Sequence, residues 1–95
     1  MAAVNKFIFM GNLTRDPELK TTSSGKTVAN VSIAVNDKDS TDYFDLSAWE
    51  KTAEIMQQIC KKGDTIFVEG VIKKNKVDDK YYYNFQVRNF QKVGK

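Results

Sequence analysis

One stretch of this sequence has the spacing of a helix, and strand-like segments flank it on both sides. In KTAEIMQQICKKG, residues 51–63, Ile55, Met56, Ile59 and Cys60 recur at helical spacing. Lys61 and Lys62 are expected in its last turn and Gly63 as its C-terminal cap. The other apolar residues alternate. VNKFIFMGNL, residues 4–13, puts Phe7, Phe9 and Leu13 on one parity and Ile8 and Met10 on the other. A strand apolar on both faces is buried within the fold or forms half of a subunit interface. TRDPEL then breaks the pattern with Pro17, the only proline. The turn SSGK follows, with Gly25 suited to positive φ, and leads into TVANVSIAV, residues 27–35, whose apolar face is Ala29, Val31, Ile33 and Val35.

After a polar loop, DYFDLSAWEK opens the third strand. Beyond the helical stretch, DTIFVEGVIKKNK (residues 64–76) reads as a strand with Gly70 at a bulge or bend. VDDK makes a short turn, and YYYNFQVRNF (residues 81–90) is the last strand, with Tyr81, Tyr83, Phe85 and Val87 on its apolar parity. Three strands, a helix and two strands in 95 residues predict one all-β domain over residues 1–95. The arrangement expected is a five-stranded Greek-key barrel of the OB type with one short α-helix between strands three and four. An SH3-like barrel is the main competitor, but it usually lacks a three-turn helix at that place.

Composition removes several classes of chemistry. There is no histidine and only one cysteine, Cys60. Zinc sites of the usual type, an internal disulfide and His-based acid–base catalysis are therefore excluded. Cys60 is expected to be a small core hydrophobe. No apolar run reaches the roughly 20 residues of a membrane span. MAAVNK has no signal-peptide core, so the expected location is the cytoplasm. Charge is uneven: residues 1–60 hold six Lys/Arg and eight Asp/Glu, whereas residues 61–95 hold nine and four. A basic half of a small domain suits a polyphosphate partner.

The third strand sharpens this. Phe44, Leu46 and Ala48 share one parity; Tyr43, Asp45, Ser47 and Trp49 share the other. With the first set in the core, Tyr43 and Trp49 face outward, about 20 Å apart at about 3.3 Å per residue, or cross a subunit interface. Large aromatics on the outer face of an OB barrel stack nucleic-acid bases without reading their sequence. Packing against the helix or a neighbouring subunit would account for them equally well one at a time. Lys73, Lys74 and Lys76 close the fourth strand, where they would pair with phosphates or protect an edge strand. Tyr82 shares a face with Asn84, Gln86 and Arg88, which makes Tyr82 a third, weaker stacking candidate, with a half-buried strand residue the better reading, and Arg88 a further phosphate contact. Asp37, Asp39, Asp42 and Asp45 fail as a calcium loop, because the sixth position from Asp37 is Asp42 and the twelfth is Ala48. They read as a solvated acidic loop, with a carboxylate-dependent nuclease as the enzyme alternative.

At this point the sequence resembles the bacterial-type single-stranded DNA-binding proteins. The family pattern N-K-x-x-x-x-G-N-L-x-x-D-P-E is met at Asn5, Lys6, Gly11, Asn12, Leu13, Asp16, Pro17 and Glu18. A second pattern is met at Trp49, Lys51, Ala53, Glu54, Lys62, Gly63, Asp64, Val68, Glu69 and Gly70. The resemblance implies an OB-fold homotetramer that wraps single-stranded DNA, with no cofactor, no metal and no catalytic residues. By position, Tyr43 matches a stacking tryptophan and Trp49 a stacking phenylalanine. Lys6, Lys20, Lys51, Lys62, Lys73 and Lys76 match phosphate-contacting positions. The first strand matches the one that joins subunits, which places Val4, Lys6, Ile8 and Met10 at an interface. Two further stacking tryptophans, around residues 37–41 and near Val77, are missing; both loops are short, and Asp45 stands where a basic residue is common. The sequence ends QKVGK, without the acidic-tipped tail that recruits replication proteins in the family. The expected function is protection of single-stranded DNA in replication, recombination and repair. The rival binding reading is a primosome-type OB dimer that bridges DNA and helicase-loading proteins.

Overall fold

The computed structural model describes residues 2–94. Its elements are β1 (Phe7–Leu13), β2 (Glu18–Thr21), β3 (Thr27–Asn36), β4 (Thr41–Trp49), α1 (Glu50–Ile59), β5 (Thr65–Val77) and β6 (Lys80–Gly94). The sheet runs β1-β5-β6-β4-β3-β2, and β1 also pairs with β3 through Asn12↔Ala34 and Leu13↔Ile33. That second pairing closes a ring of five strands. All its ladders are antiparallel except β4 with β6, where Leu46 pairs with Phe85 and Ser47 with Gln86 in parallel. A closed five-stranded Greek-key ring with one helix after its third ring strand is an OB-type barrel. The sixth strand, β2, lies outside the ring on the edge of β3. Its four residues, ELKT, are all exposed, so no burial alternation marked them as a strand.

Closure of the ring requires two close backbone approaches. A Cβ at Gly11 would collide with the carbonyl oxygen of Ala34. One at Gly70 would collide with that of Gln86, beside the β-bulge between Glu69 and Gly70. Inside the ring, Val31, Ile33, Ile66 and Val68 are fully buried, together with Met56 and Cys60 from the helical segment. Phe7, Phe9, Phe44 and Phe85 pack as a cluster, with Phe9 and Phe44 stacked at a centroid separation of 4.2 Å. Burial pushes the Cys60 thiol up, and the Asp64 carboxylate adds to the rise, consistent with an inert core position.

The helix corrects two expectations. It ends at Ile59, and Cys60 is already extended, so Lys61 and Lys62 lie in the following turn rather than in the last helical turn. Gly63 has φ +93° but belongs to that turn and does not cap the helix. The cation at the helix terminus comes from another strand: Lys92 Nζ donates to the Ile59 carbonyl at 3.2 Å and lies 3.4 Å from Asp64. Asp64 also accepts the Lys61 amide at 2.9 Å. That bond, then Lys92, holds its carboxyl below the usual range. Of the helical apolar set, Met56 and Cys60 are buried, whereas Ile55 and Ile59 are exposed.

Candidate nucleic-acid interface

The site is the outer face of β4 and its neighbours. The inward set is packed: Leu46 and Ala48 are buried, and Phe44 is half-buried against Phe9 and Phe85. This fixes the parity of the strand, and Tyr43 and Trp49 stand outside, 69% and 36% exposed. Between them, Ser47 is buried and donates to Asn84 Oδ1 at 2.7 Å, joining β4 to β6 on this face. Asp45 is exposed.

The ladders extend this face across the sheet, because directly paired residues share a side. Trp49 is opposite Val28, which is opposite Lys20 on β2. Tyr43 is opposite Ala34 and Asp45 is opposite Ser32, so small side chains flank the open positions. Gln86, paired with Ser47, is opposite Val71; Asn84 is opposite Lys73, and Tyr82 is opposite Asn75. Lys20, Trp49, Lys73, Tyr43 and Tyr82 thus share one continuous side of the sheet.

A concavity opens beside Trp49, lined by Lys26, Glu50, Thr22 and Arg88 among others. Neither Lys26 nor Glu50 stood out in the sequence. Lys26 was legible in principle: it follows the Gly25 turn, two residues before the partner of Trp49. Glu50 carries no such signal. It holds a left-handed backbone, φ 54°, at the junction of β4 and α1, and its carboxylate accepts the Thr27 amide at 3.0 Å. The same bond ties the start of β3 to the residue after Trp49. Trp49 is the helix N-cap through its backbone alone, with no side-chain capping bond, so its ring is free of that duty.

The remaining basic positions divide. Arg88 lines the concavity beside Trp49 and a second one that it shares with Lys6 and Glu69. Lys6 lies 3.3 Å from Glu69. Asn89 first, then Lys6, hold the Glu69 carboxyl below its usual range. Lys20 lies 4.0 Å from Glu18, a surface pair of small energetic weight. Lys51 is exposed in the first turn of α1. Lys62 lies in the turn after α1, its amide donating to Asp16 at 2.7 Å, apart from the sheet face. Lys73 belongs to the Trp49 side, but Lys74 and Lys76 pair with Tyr83 and Tyr81 on the opposite side of the β5–β6 hairpin.

Tyr81 and Tyr83 require a correction. Their parity is the core parity, yet they are 54% and 63% exposed. The hairpin runs past the barrel: every residue from Lys73 to Tyr83 is exposed, while the ladder continues to Val77↔Lys80 and turns through Asp78 and Asp79 at positive φ. Tyr82, expected half-buried if not stacking, is exposed as well. Ile8 and Met10 on β1, and Val4 in the segment before it, are exposed. The aspartates at 37, 39, 42 and 45 are all exposed, and among the described residues no three acidic side chains gather as a metal site.

A five-stranded OB barrel with outward aromatics on the β3–β4 face, flanked by lysine and arginine, has the features of those OB folds that take oligonucleotides. The family follows from comparison: the single-strand binding protein family matches residues 4–92, and the chain belongs to that family. It is 38% identical over 95 residues to a single-stranded DNA-binding protein of Thermus thermophilus, covering 95% of this chain and 34% of that protein. It is 40% identical over 83 residues to single-stranded DNA-binding protein 1 of Synechocystis, covering 82% of this chain and 69% of the relative. Single-stranded DNA-binding protein B of Bacillus subtilis is 34% identical over 90 residues, covering 87% and 80% respectively. The chain therefore spans about a third of the length of its Thermus relative.

Proposed function

We propose that this protein is a single OB-fold domain that binds single-stranded DNA without sequence preference and protects it during replication, recombination and repair. Trp49 and Tyr43 are the stacking platforms, with Tyr82 beside them. Lys20, Lys73 and Arg88 flank these rings on the same side of the sheet and neutralise phosphates, joined by Lys26 at the edge of the Trp49 concavity. Lys6, Lys51, Lys62, Lys74 and Lys76 extend the contact around the molecule. No step of this work requires bond making, a cofactor or a metal.

The observation that carries the reading is the exposed Trp49 on a strand whose other face is sealed in the core. Its exposed part lies in a concavity with Arg88 and Lys26, and an aromatic ring beside an arginine and a lysine suits a stacked base and its phosphate. The relatives named single-stranded DNA-binding proteins support the same reading. Assembly is through β1 and the segment before it, where Val4, Lys6, Ile8 and Met10 meet a second copy, and a homotetramer is the expected particle. A stable dimer by sedimentation would favour the primosome-type alternative, which bridges DNA and helicase-loading proteins. The described residues contain no helix long and apolar enough to cross a membrane, and the proposed location is the cytoplasm.

The test is fluorescence anisotropy of labelled oligo(dT) and of a duplex of equal length over a salt series. Oligo(dT) is expected to bind more tightly, with log K falling by about 0.7 per phosphate contact for each unit of log salt. Equal affinity for duplex, or binding indifferent to salt, would refute the proposal.

A further inference from the structure

We infer that Glu50 reads the base stacked on Trp49, favouring one with an exocyclic amino group, cytosine above all, over thymine at that single position. The inference rests on the function proposed above and adds a choice of base to it. Stacking itself accepts every base, so binding as a whole stays tolerant of sequence. Two features of Glu50 run against its surroundings. Its backbone is left-handed at φ 54°, a conformation that a side chain resists and glycine takes freely. Its side chain lines the concavity beside Trp49, together with Lys26 and Arg88, and a negative charge there opposes a phosphate chain. Among the described residues it forms no ion pair with either cation. Residues held in unfavourable backbone conformations cluster at ligand sites, where the contact they make offsets the strain.

The carboxylate is anchored. Its Oε1 accepts the Thr27 amide at 3.0 Å, and Glu50 stands in the first turn of α1, where a negative charge suits the helix N-terminus. Thr27 adjoins Val28, the partner of Trp49 across the β3–β4 ladder, so the carboxylate is tied to the strand pair that carries the indole. The Thr27 bond occupies Oε1 and leaves Oε2 to a ligand. The concavity, about 680 Å³, has the size of a small-molecule site and admits a base on the indole. An ionised carboxylate is an acceptor only. It takes a hydrogen bond from the N4 amino group of cytosine, and in the same way from N6 of adenine. Thymine turns its O4 carbonyl to the same place, and two acceptors repel. Cytosine and uracil are nearly the same size, and they present an amino group and a carbonyl there respectively.

The test titrates the wild-type protein, Glu50→Gln and Glu50→Gly with oligo(dC), oligo(dU) and oligo(dT) of equal length. Anisotropy is read at one salt concentration and at mildly alkaline pH, where oligo(dC) stays unprotonated. Far-ultraviolet circular dichroism checks the fold. Glutamine keeps an oxygen for the Thr27 amide and turns its NH2 outward, a donor that suits the uracil carbonyl. Glycine suits the left-handed backbone and removes the reading group. The ratio of oligo(dC) to oligo(dU) affinity is expected to fall roughly fivefold or more from wild type to Glu50→Gln, with Glu50→Gly between them. Oligo(dT), which shares the uracil carbonyl, should follow oligo(dU). A merely structural role, or a charge that only repels phosphates, would move all three affinities together. A ratio that stays within roughly twofold of wild type in both variants would therefore overturn the inference, whatever the change in overall affinity. Should the glutamine protein fail to fold, the glycine protein decides by the same ratio. If the wild-type protein bound none of the oligomers, the parent proposal would fall, and that result is distinct from an unchanged ratio.

Discussion

A Trp49→Ala protein should bind oligo(dT) roughly fivefold to a hundredfold more weakly than the wild type while keeping its fold. The range follows from about 1–3 kcal/mol for one base stacked on an aromatic side chain. The fold should survive because the indole is partly exposed and gives no side-chain cap to α1. Trp49→Phe keeps a flat ring in the same place and should retain most of the affinity. Anisotropy titrations of the three proteins at one salt concentration, with circular dichroism as the folding control, decide the matter. Equal affinity for the alanine and wild-type proteins would place the DNA elsewhere.

The second large effect concerns the scaffold. Gly70→Val should destabilise the barrel by about 3 kcal/mol or more, above the ordinary cost of overpacking a core. The added Cβ meets a backbone carbonyl, that of Gln86, rather than a flexible side chain. Relief requires β5 and β6 to part at the bulge, next to the pairing of Gln86 with Ser47 that carries the outer face. In a domain of this size each kcal/mol lowers Tm by about 4–8 °C. A calorimetric scan should therefore show a fall of roughly 12 °C or more, or no cooperative transition. A Tm within 3 °C of wild type would mean that the strands have room that this geometry denies them.

Sequence patterning revealed the faces of strands better than their ends. The side on which Tyr43 and Trp49 stand was legible because Phe44, Leu46 and Ala48 alternate with them and need burial. The helix end was not legible. The group that satisfies the Ile59 carbonyl is Lys92, far along the chain, so the local lysines at 61 and 62 were misleading. Tyr81 and Tyr83 show the limit most clearly. Parity states which side of a strand a residue occupies, but not whether the barrel extends to cover it, and here the arm outruns the core at Phe85. The same alternation separates Lys73 from Lys74 and Lys76, although the run of lysines suggested one patch. Glu50 was hidden for another reason. A left-handed residue is ordinarily signalled by glycine or asparagine, and this position has neither.

The proposed binding mode turns on a base received by the outward indole of Trp49. Trp49 is the only tryptophan in the chain, so its fluorescence during titration with poly(dT) reports on that one position. Strong saturable quenching that added salt reverses is expected. Binding demonstrated by anisotropy with no change in tryptophan emission would contradict it.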